Sequence, residues 1–132
     1  MRARTKARQR AVEALFEAEQ RNTSVADVVS RNPDVNAYAS ELALTVESNQ
    51  QRIDELLDTY SQEWTLHRAP AVDRAILRVA VAELLYKPEI DTAVIISQAV
   101  EIAGVLSTDE SGSFINGLLA SVALVRHSQS TL

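Results

Sequence analysis

The sequence contains no cysteine, only three glycines and three prolines, and few aromatic residues among its 132 positions. The absence of cysteine excludes a disulfide framework and any reaction that needs a thiol nucleophile. The scarcity of glycine and proline indicates few tight turns. Alanine, leucine, valine, glutamate and arginine are abundant instead, and these residues favour helices or pack well inside them. We therefore predict an all-α protein.

The sequence also lacks the patterns that mark export or membrane insertion. No apolar run follows the charged residues at the N-terminus, so no signal peptide is predicted. The most apolar stretch, residues 70–86, contains four charged residues and is too short and too polar to span a bilayer. We expect a cytoplasmic protein that has no membrane partner.

Motifs for catalysis and for cofactor binding are missing as well. Gly104, Gly112 and Gly117 match neither the dinucleotide-binding pattern nor the P-loop pattern. His67 and His127 have no carboxylate or thiol neighbours at metal-ligand spacing. We therefore expect no enzymatic activity, no cofactor and no metal site, which leaves a binding or assembly module.

The strongest positive signal is the stretch 70–86, whose apolar residues point in almost every direction of a helical wheel. Pro70 suits the first turn of a helix, and Pro88 follows just beyond its end. Because a helix that is apolar nearly all round belongs in the interior, we predict that this helix lies at the centre of the fold. The charged residues that interrupt it are Asp73, Arg74, Arg78 and Glu83.

Apolar periodicity predicts further helices on both sides of this central one. The predicted helices cover residues 3–20, a short segment capped by Ser24 or Thr23, residues near 35–47 and 50–61, and two segments that begin after Asp91 or Thr92 and after Ser107. One long bent helix is the alternative for the third and fourth of these.

Two side chains near the ends of these helices have predicted structural roles. Ser107 and Glu110 fit the N-cap and N3 positions of a capping box. Trp64, the only tryptophan, is expected to close the core from the connection before the central helix.

Charge is distributed unevenly along the chain. The net charge is −5, yet residues 1–10 carry five cations and no acid, which leaves about −10 for the remainder. A basic segment on an acidic body indicates an anionic ligand, and a merely solvated N-terminus is the alternative. The cations are Arg2, Arg4, Lys6, Arg8 and Arg10.

Several stretches carry a family resemblance. Residues 70–86 read PAVDRAILRVAVAELLY, and AVEIA at 99–103 runs on to STDESGSFINGLL at 107–119. Together with RQRAVEALF at 8–16 and WTLHR at 64–68, they resemble the NusB family of transcription antitermination factors. The similarity spans nearly the whole chain, with the motifs in the family's order.

The resemblance implies one helical domain over residues 1–132, with residues 1–10 as a basic N-terminal arm. Two three-helix bundles would pack across each other and share the buried central helix, with about seven helices in all. It also implies a function without catalysis. NusB-like proteins bind the boxA element of nascent ribosomal RNA together with NusE, a ribosomal protein of the small subunit, and this complex helps RNA polymerase to read through termination signals.

Carried over by position, the resemblance implies two sets of site residues. The RNA-binding set is Arg2, Arg4, Lys6, Arg8, Arg10, Ser111, Ser113 and Phe114. The set expected to face NusE is Phe16, Asp73, Arg74 and Glu110. From the residues alone, Phe114 could instead belong to the core and Glu110 could be only a cap.

The chain departs from the resemblance at Ala93, Gly104 and Ser113, where many members have a basic residue. The N-terminal arm is therefore expected to supply more of the RNA affinity. Two other functions stay open: a protein-interaction module that forms a homodimer, and an RNA-binding domain akin to the one fused to ribosomal RNA cytosine methyltransferases.

Overall fold

A computed structural model of the protein describes residues 3–33, 35–61 and 66–130, with side chains as far as Arg126. These ranges contain seven α-helices and no strand, which confirms the all-α prediction. The helices are α1 (Ala3–Arg21), α2 (Val25–Arg31), α3 (Ala37–Ser48), α4 (Gln50–Tyr60), α5 (Ala71–Tyr86), α6 (Thr92–Leu106) and α7 (Asp109–Ser130). One 3₁₀ turn, Leu66–Arg68, precedes α5. Trp64 lies outside the described residues.

Helix α5 is the centre of the packing. It contacts α1, α3, α4, α6 and α7. Helices α1, α2 and α3 also contact one another, while α6 packs on α7, so two bundles share α5. Ile76, Leu77, Val81 and Leu84 are each at most 2% exposed. The prediction of a shared buried central helix is thereby confirmed.

The helix ends follow side-chain signals in the sequence. Ser24 caps α2, because its Oγ accepts a hydrogen bond from the Asp27 N–H at 3.0 Å. Asn36 caps α3 in the same way through the Ala39 N–H at 2.8 Å. Asn49 separates α3 from α4. The predicted break is therefore confirmed, and the single bent helix is wrong.

Two predicted helix starts need correction. Pro70 is the N-cap of α5, and the helix proper begins at Ala71. Ser107 closes α6, because its backbone N–H donates to the Ala103 carbonyl at 2.7 Å. The side chain that caps α7 belongs to Thr108, whose Oγ1 accepts from the Ser111 N–H at 3.1 Å. The predicted capping box of Ser107 and Glu110 is thus wrong by one residue.

Candidate nucleic-acid and partner interface

The basic N-terminal segment forms the first turns of α1. Arg4 and Lys6 are exposed, and neither forms an ion pair within the described part of the chain. The Arg4 guanidinium lies over the Tyr38 ring, 4.5 Å from its centroid, which is a favourable cation–π distance. Arg10 is half-buried and pairs with Glu13 at 2.9 Å. Arg2 lies outside the described residues.

Arg8 differs from the other cations because its side chain is inside the protein. It is 4% exposed, and its Nε donates to Glu83 Oε1 at 2.7 Å. Its Nη1 also donates to Gln98 Oε1 on α6 at 3.4 Å. The structure therefore corrects the expectation that Arg8 is a free phosphate-binding cation. The periodicity that places Ala7, Ala11 and Val12 in the core turns Arg8 inward as well.

Glu83, which is 1% exposed, joins three helices at this point. One of its carboxylate oxygens accepts from Arg8, and the other accepts from the Tyr38 hydroxyl of α3 at 2.7 Å. Burial of Tyr38, and then its hydrogen bond to Glu83, raise the pKa of its hydroxyl well above the ordinary value, so the hydroxyl stays protonated as a donor. The cation-bearing start of α1 is thereby fixed to α3 and α5.

The α7 residues of the predicted RNA-binding set are not equivalent. Ser111 is 9% exposed, and its Oγ donates to Asp73 Oδ2 at 2.7 Å, so it faces inward. Ser113 is exposed, and Phe114 is half-buried and packs against the core. Ser113 lines two neighbouring clefts, one shared with Phe114 and Tyr60, the other running between α6 and α7. The segment Ser113–Phe114 is therefore the part of this set that borders accessible surface.

Asp73 does not emerge from α5 to form a surface. It is 1% exposed, and its Oδ1 has no hydrogen-bond partner in the described part of the chain. At the N3 position it could reach back to an N-cap N–H, but the N-cap is Pro70, which has none. Its carboxylate instead bonds to Ser111 of α7. The expectation that Asp73 is an exposed partner contact is corrected.

The other residues predicted to face a protein partner lie nearer the surface. Arg74 is 16% exposed in its side chain and pairs with Glu19 of α1, and it also donates to the His67 carbonyl at 3.2 Å. Phe16, three residues before Glu19 on α1, is half-buried, and Glu110 is exposed. The first turns of α5 and α7 are joined through Asp73 and Ser111, so Arg74 and Glu110 lie next to a shared contact.

The described residues contain neither a group of metal-ligating side chains nor a helix that is long and apolar enough to cross a membrane. What the geometry offers is surface chemistry: exposed cations on an ordered helix, a half-buried aromatic beside hydroxyl groups, and a separate patch around Arg74. Sequence reasoning missed the roles of Glu83 and Tyr38. A glutamate within an otherwise apolar stretch was the available signal for the first.

Comparison with known proteins gives one consistent result. The model of the NusB family matches residues 5–124. The transcription antitermination protein NusB of Arthrobacter sp. (strain FB24) is 53% identical over 124 residues, covering 90% of this chain and 91% of the relative. The protein of the same name from Kineococcus radiotolerans is 49% identical over 135 residues, covering 98% and 99%.

Solved structures agree with the sequence comparison. The structure of T. maritima NusB superimposes with a TM-score of 0.83 at 32% identity, covering 92% of this chain and 91% of that chain. A NusB chain from a crystal structure of antitermination factors NusB and NusE in complex with double-stranded RNA gives a TM-score of 0.80 at 25% identity, covering 95% and 98%.

Proposed function

The chain belongs to the NusB family, and we propose that it is a transcription antitermination factor that binds boxA-type RNA together with NusE and catalyses no reaction. The observation that carries this proposal is the start of α1, where Arg4 and Lys6 are exposed and form no ion pair with any other described residue, on an otherwise acidic protein. The similarity to a NusB chain from a complex with NusE and double-stranded RNA supports the same function.

We assign the RNA contacts to the accessible members of the predicted set. These are Arg4, Lys6 and Arg10 on α1, with Ser113 and Phe114 on α7, and Arg2 remains a prediction. About three phosphate contacts give a log–log salt slope near −2 for a single strand, so a fourfold rise in salt weakens binding about twentyfold. Such binding is weak alone. Base selection then needs unpaired bases stacked on an aromatic such as Phe114, and a second protein to complete the surface.

We assign the NusE-facing surface to Phe16, Arg74 and Glu110. Asp73 supports it from inside through Ser111, and Glu19 fixes the direction of the Arg74 side chain. The hydrophobic core of the described residues, which runs from Ala7 to Ala123, supports one domain over residues 1–132. A factor that acts on nascent transcripts would work in the cytoplasm and would join the RNA polymerase antitermination complex.

The test is a titration of labelled boxA RNA with this protein, in the presence and in the absence of NusE. We expect tighter binding with NusE, and a preference for boxA over a scrambled RNA of equal length. A parallel titration with double-stranded RNA distinguishes recognition of the base sequence from recognition of RNA shape. Equal affinity for all RNAs, with no gain from NusE, would refute the proposal. In that case, sedimentation over a concentration series would show whether the protein is instead a homodimeric interaction module.

A further inference from the structure

We propose that Lys87, which precedes α6, is a further phosphate-binding cation of the RNA surface, and that Tyr38 joins it to the basic start of α1. The inference rests on the proposed RNA-binding function. It extends the surface beyond the N-terminal segment, to a part of the chain that no sequence signal singled out.

The geometry places two distant cations on one aromatic ring. The Arg4 guanidinium carbon lies 4.5 Å from the centroid of the Tyr38 ring, and Lys87 Nζ lies 5.8 Å from the same point. Both distances are within the range of a cation–π interaction. Two cations beside one neutral ring concentrate positive charge at this part of the surface, and positive charge attracts an anion. A phosphate of an RNA strand is such an anion.

The backbone around Lys87 is fixed rather than loose. Lys87 is the C-cap of α5, and its N–H donates to the Glu83 carbonyl at 3.0 Å. Its own carbonyl accepts from Arg126 Nη2 of α7 at 2.7 Å. The Tyr38 ring is held by the hydrogen bond of its hydroxyl to the buried Glu83 carboxylate. The patch formed by Arg4, Tyr38 and Lys87 is therefore built on three ordered elements.

In the absence of RNA, Lys87 forms an ion pair with an acidic side chain. Lys87 Nζ pairs with a carboxylate oxygen of Glu41, whose side chain is 52% exposed, whereas that of Lys87 is 19% exposed. Because a pair with such an exposed acid contributes little to stability, a phosphate can take the place of Glu41 at small cost. Glu41 then acts as an intramolecular competitor of RNA. Removing Glu41 and removing Lys87 should consequently change RNA affinity in opposite directions.

The experiment measures boxA RNA binding by the full chain with NusE over a range of salt concentrations. Loss of one phosphate contact to a single strand lowers the magnitude of the log–log salt slope by about 0.7. The loss of affinity is therefore about fivefold greater at 0.1 M salt than at 1 M salt. We expect this for Lys87→Gln. Glu41→Gln should tighten binding by a few-fold. In the Lys87→Gln background, Glu41→Gln should no longer tighten RNA binding.

Matched controls are available on α4, where Arg52 and Glu55 are both exposed. Arg52→Gln and Glu55→Gln make the same changes of net charge elsewhere and should leave affinity within twofold. Thermal unfolding checks that every variant is folded, and binding of NusE alone checks that the protein–protein contact is intact.

If the wild type binds RNA with NusE and the Lys87 and Glu41 variants match the α4 controls, the inference is wrong while the proposed function stands. Effects of equal size at all four positions would indicate only the general field of the protein and would also overturn the inference. A wild type that does not bind boxA RNA with NusE would refute the proposed function itself.

Discussion

Helix α5 carries two buried carboxylates, and their surroundings differ. Near the end of the helix, Glu83 is bonded at both oxygens, by Arg8 and by the Tyr38 hydroxyl, each at 2.7 Å. In the first turn, Asp73 is bonded at one oxygen by the Ser111 hydroxyl at 2.7 Å, and its Oδ1 has no hydrogen-bond partner in the described part of the chain. Both side chains are 1% exposed.

The difference shows two ways of keeping a charge inside a helical core. Glu83 is compensated by an opposite charge, so its removal would leave the buried Arg8 guanidinium without its carboxylate partner. Asp73 lies at the positive end of the α5 dipole. Among the described residues, its side chain accepts a hydrogen bond from the Ser111 hydroxyl alone, and this hydroxyl can turn to other acceptors. Each site also supports a different part of the proposed function, since Glu83 holds the cations of α1 and Asp73 holds the start of α7.

The largest effect is expected at the Glu83 site. Glu83→Ala removes the partner of the buried Arg8 cation and of the Tyr38 hydroxyl. Breaking a buried ion pair from one side typically costs about 3–5 kcal/mol. We expect a loss of this size in the free energy of unfolding, measured by urea titration at neutral pH.

A double replacement controls for the loss of charge alone. Arg8→Met with Glu83→Met removes both charges and fills the space with apolar atoms, and such replacements are often close to neutral. The double variant should regain much of the stability that the single variant loses. If it is as unstable as Glu83→Ala, the opposite charge is not what distinguishes the Glu83 site.

The fold was largely predictable because its signals are local and redundant. Helix α5 is marked by apolar residues in all directions between Pro70 and Pro88, and Ser24 can satisfy a helix N-terminus without help from elsewhere in the chain. The α6–α7 corner was not predicted correctly. Ser107 and Thr108 both have side-chain oxygens that can cap a helix, and only the end point of α6 decides between them.

The candidate site was predicted less well, because burial of a single polar residue depends on which helices pack against its turn. Arg4 and Arg8 lie one turn apart on the same face of α1, yet Arg8 is inside the core and Arg4 is exposed. The pairs that matter, Arg8 with Glu83 and Asp73 with Ser111, are separated by 75 and 38 residues. The two residues of each pair lie on different helices, so the apolar pattern of one helix does not reveal the pair. Only the packing of the helices does.

A smaller effect is expected at the Asp73 site. Asp73→Ala removes one buried hydrogen bond together with an oxygen that has none, and the Ser111 hydroxyl can turn to Ser107 Oγ, which is 3.0 Å away. We expect a loss of about 1.5–3 kcal/mol by urea titration, as for one hydrogen bond to a charged group. Asp73→Asn keeps an acceptor and should lose less. A loss as large as that of Glu83→Ala would remove the contrast between the two carboxylates.

The smallest loss of stability is expected at the start of α7. Thr108 Oγ1 accepts from the Ser111 N–H at 3.1 Å and also donates to the Ser111 hydroxyl at 3.0 Å, so Thr108 both caps α7 and belongs to the Asp73 site. Loss of a helix cap costs about 1 kcal/mol, which is the loss we expect for Thr108→Ala in the same titration. Ser107→Ala should change stability by less than about 0.5 kcal/mol, because its hydroxyl bonds to that of Ser111 and to no other side chain of the described ranges. If Ser107→Ala loses more stability than Thr108→Ala, Ser107 is the cap of α7. Thr108 then does not belong to the polar contacts that hold α7 against α5.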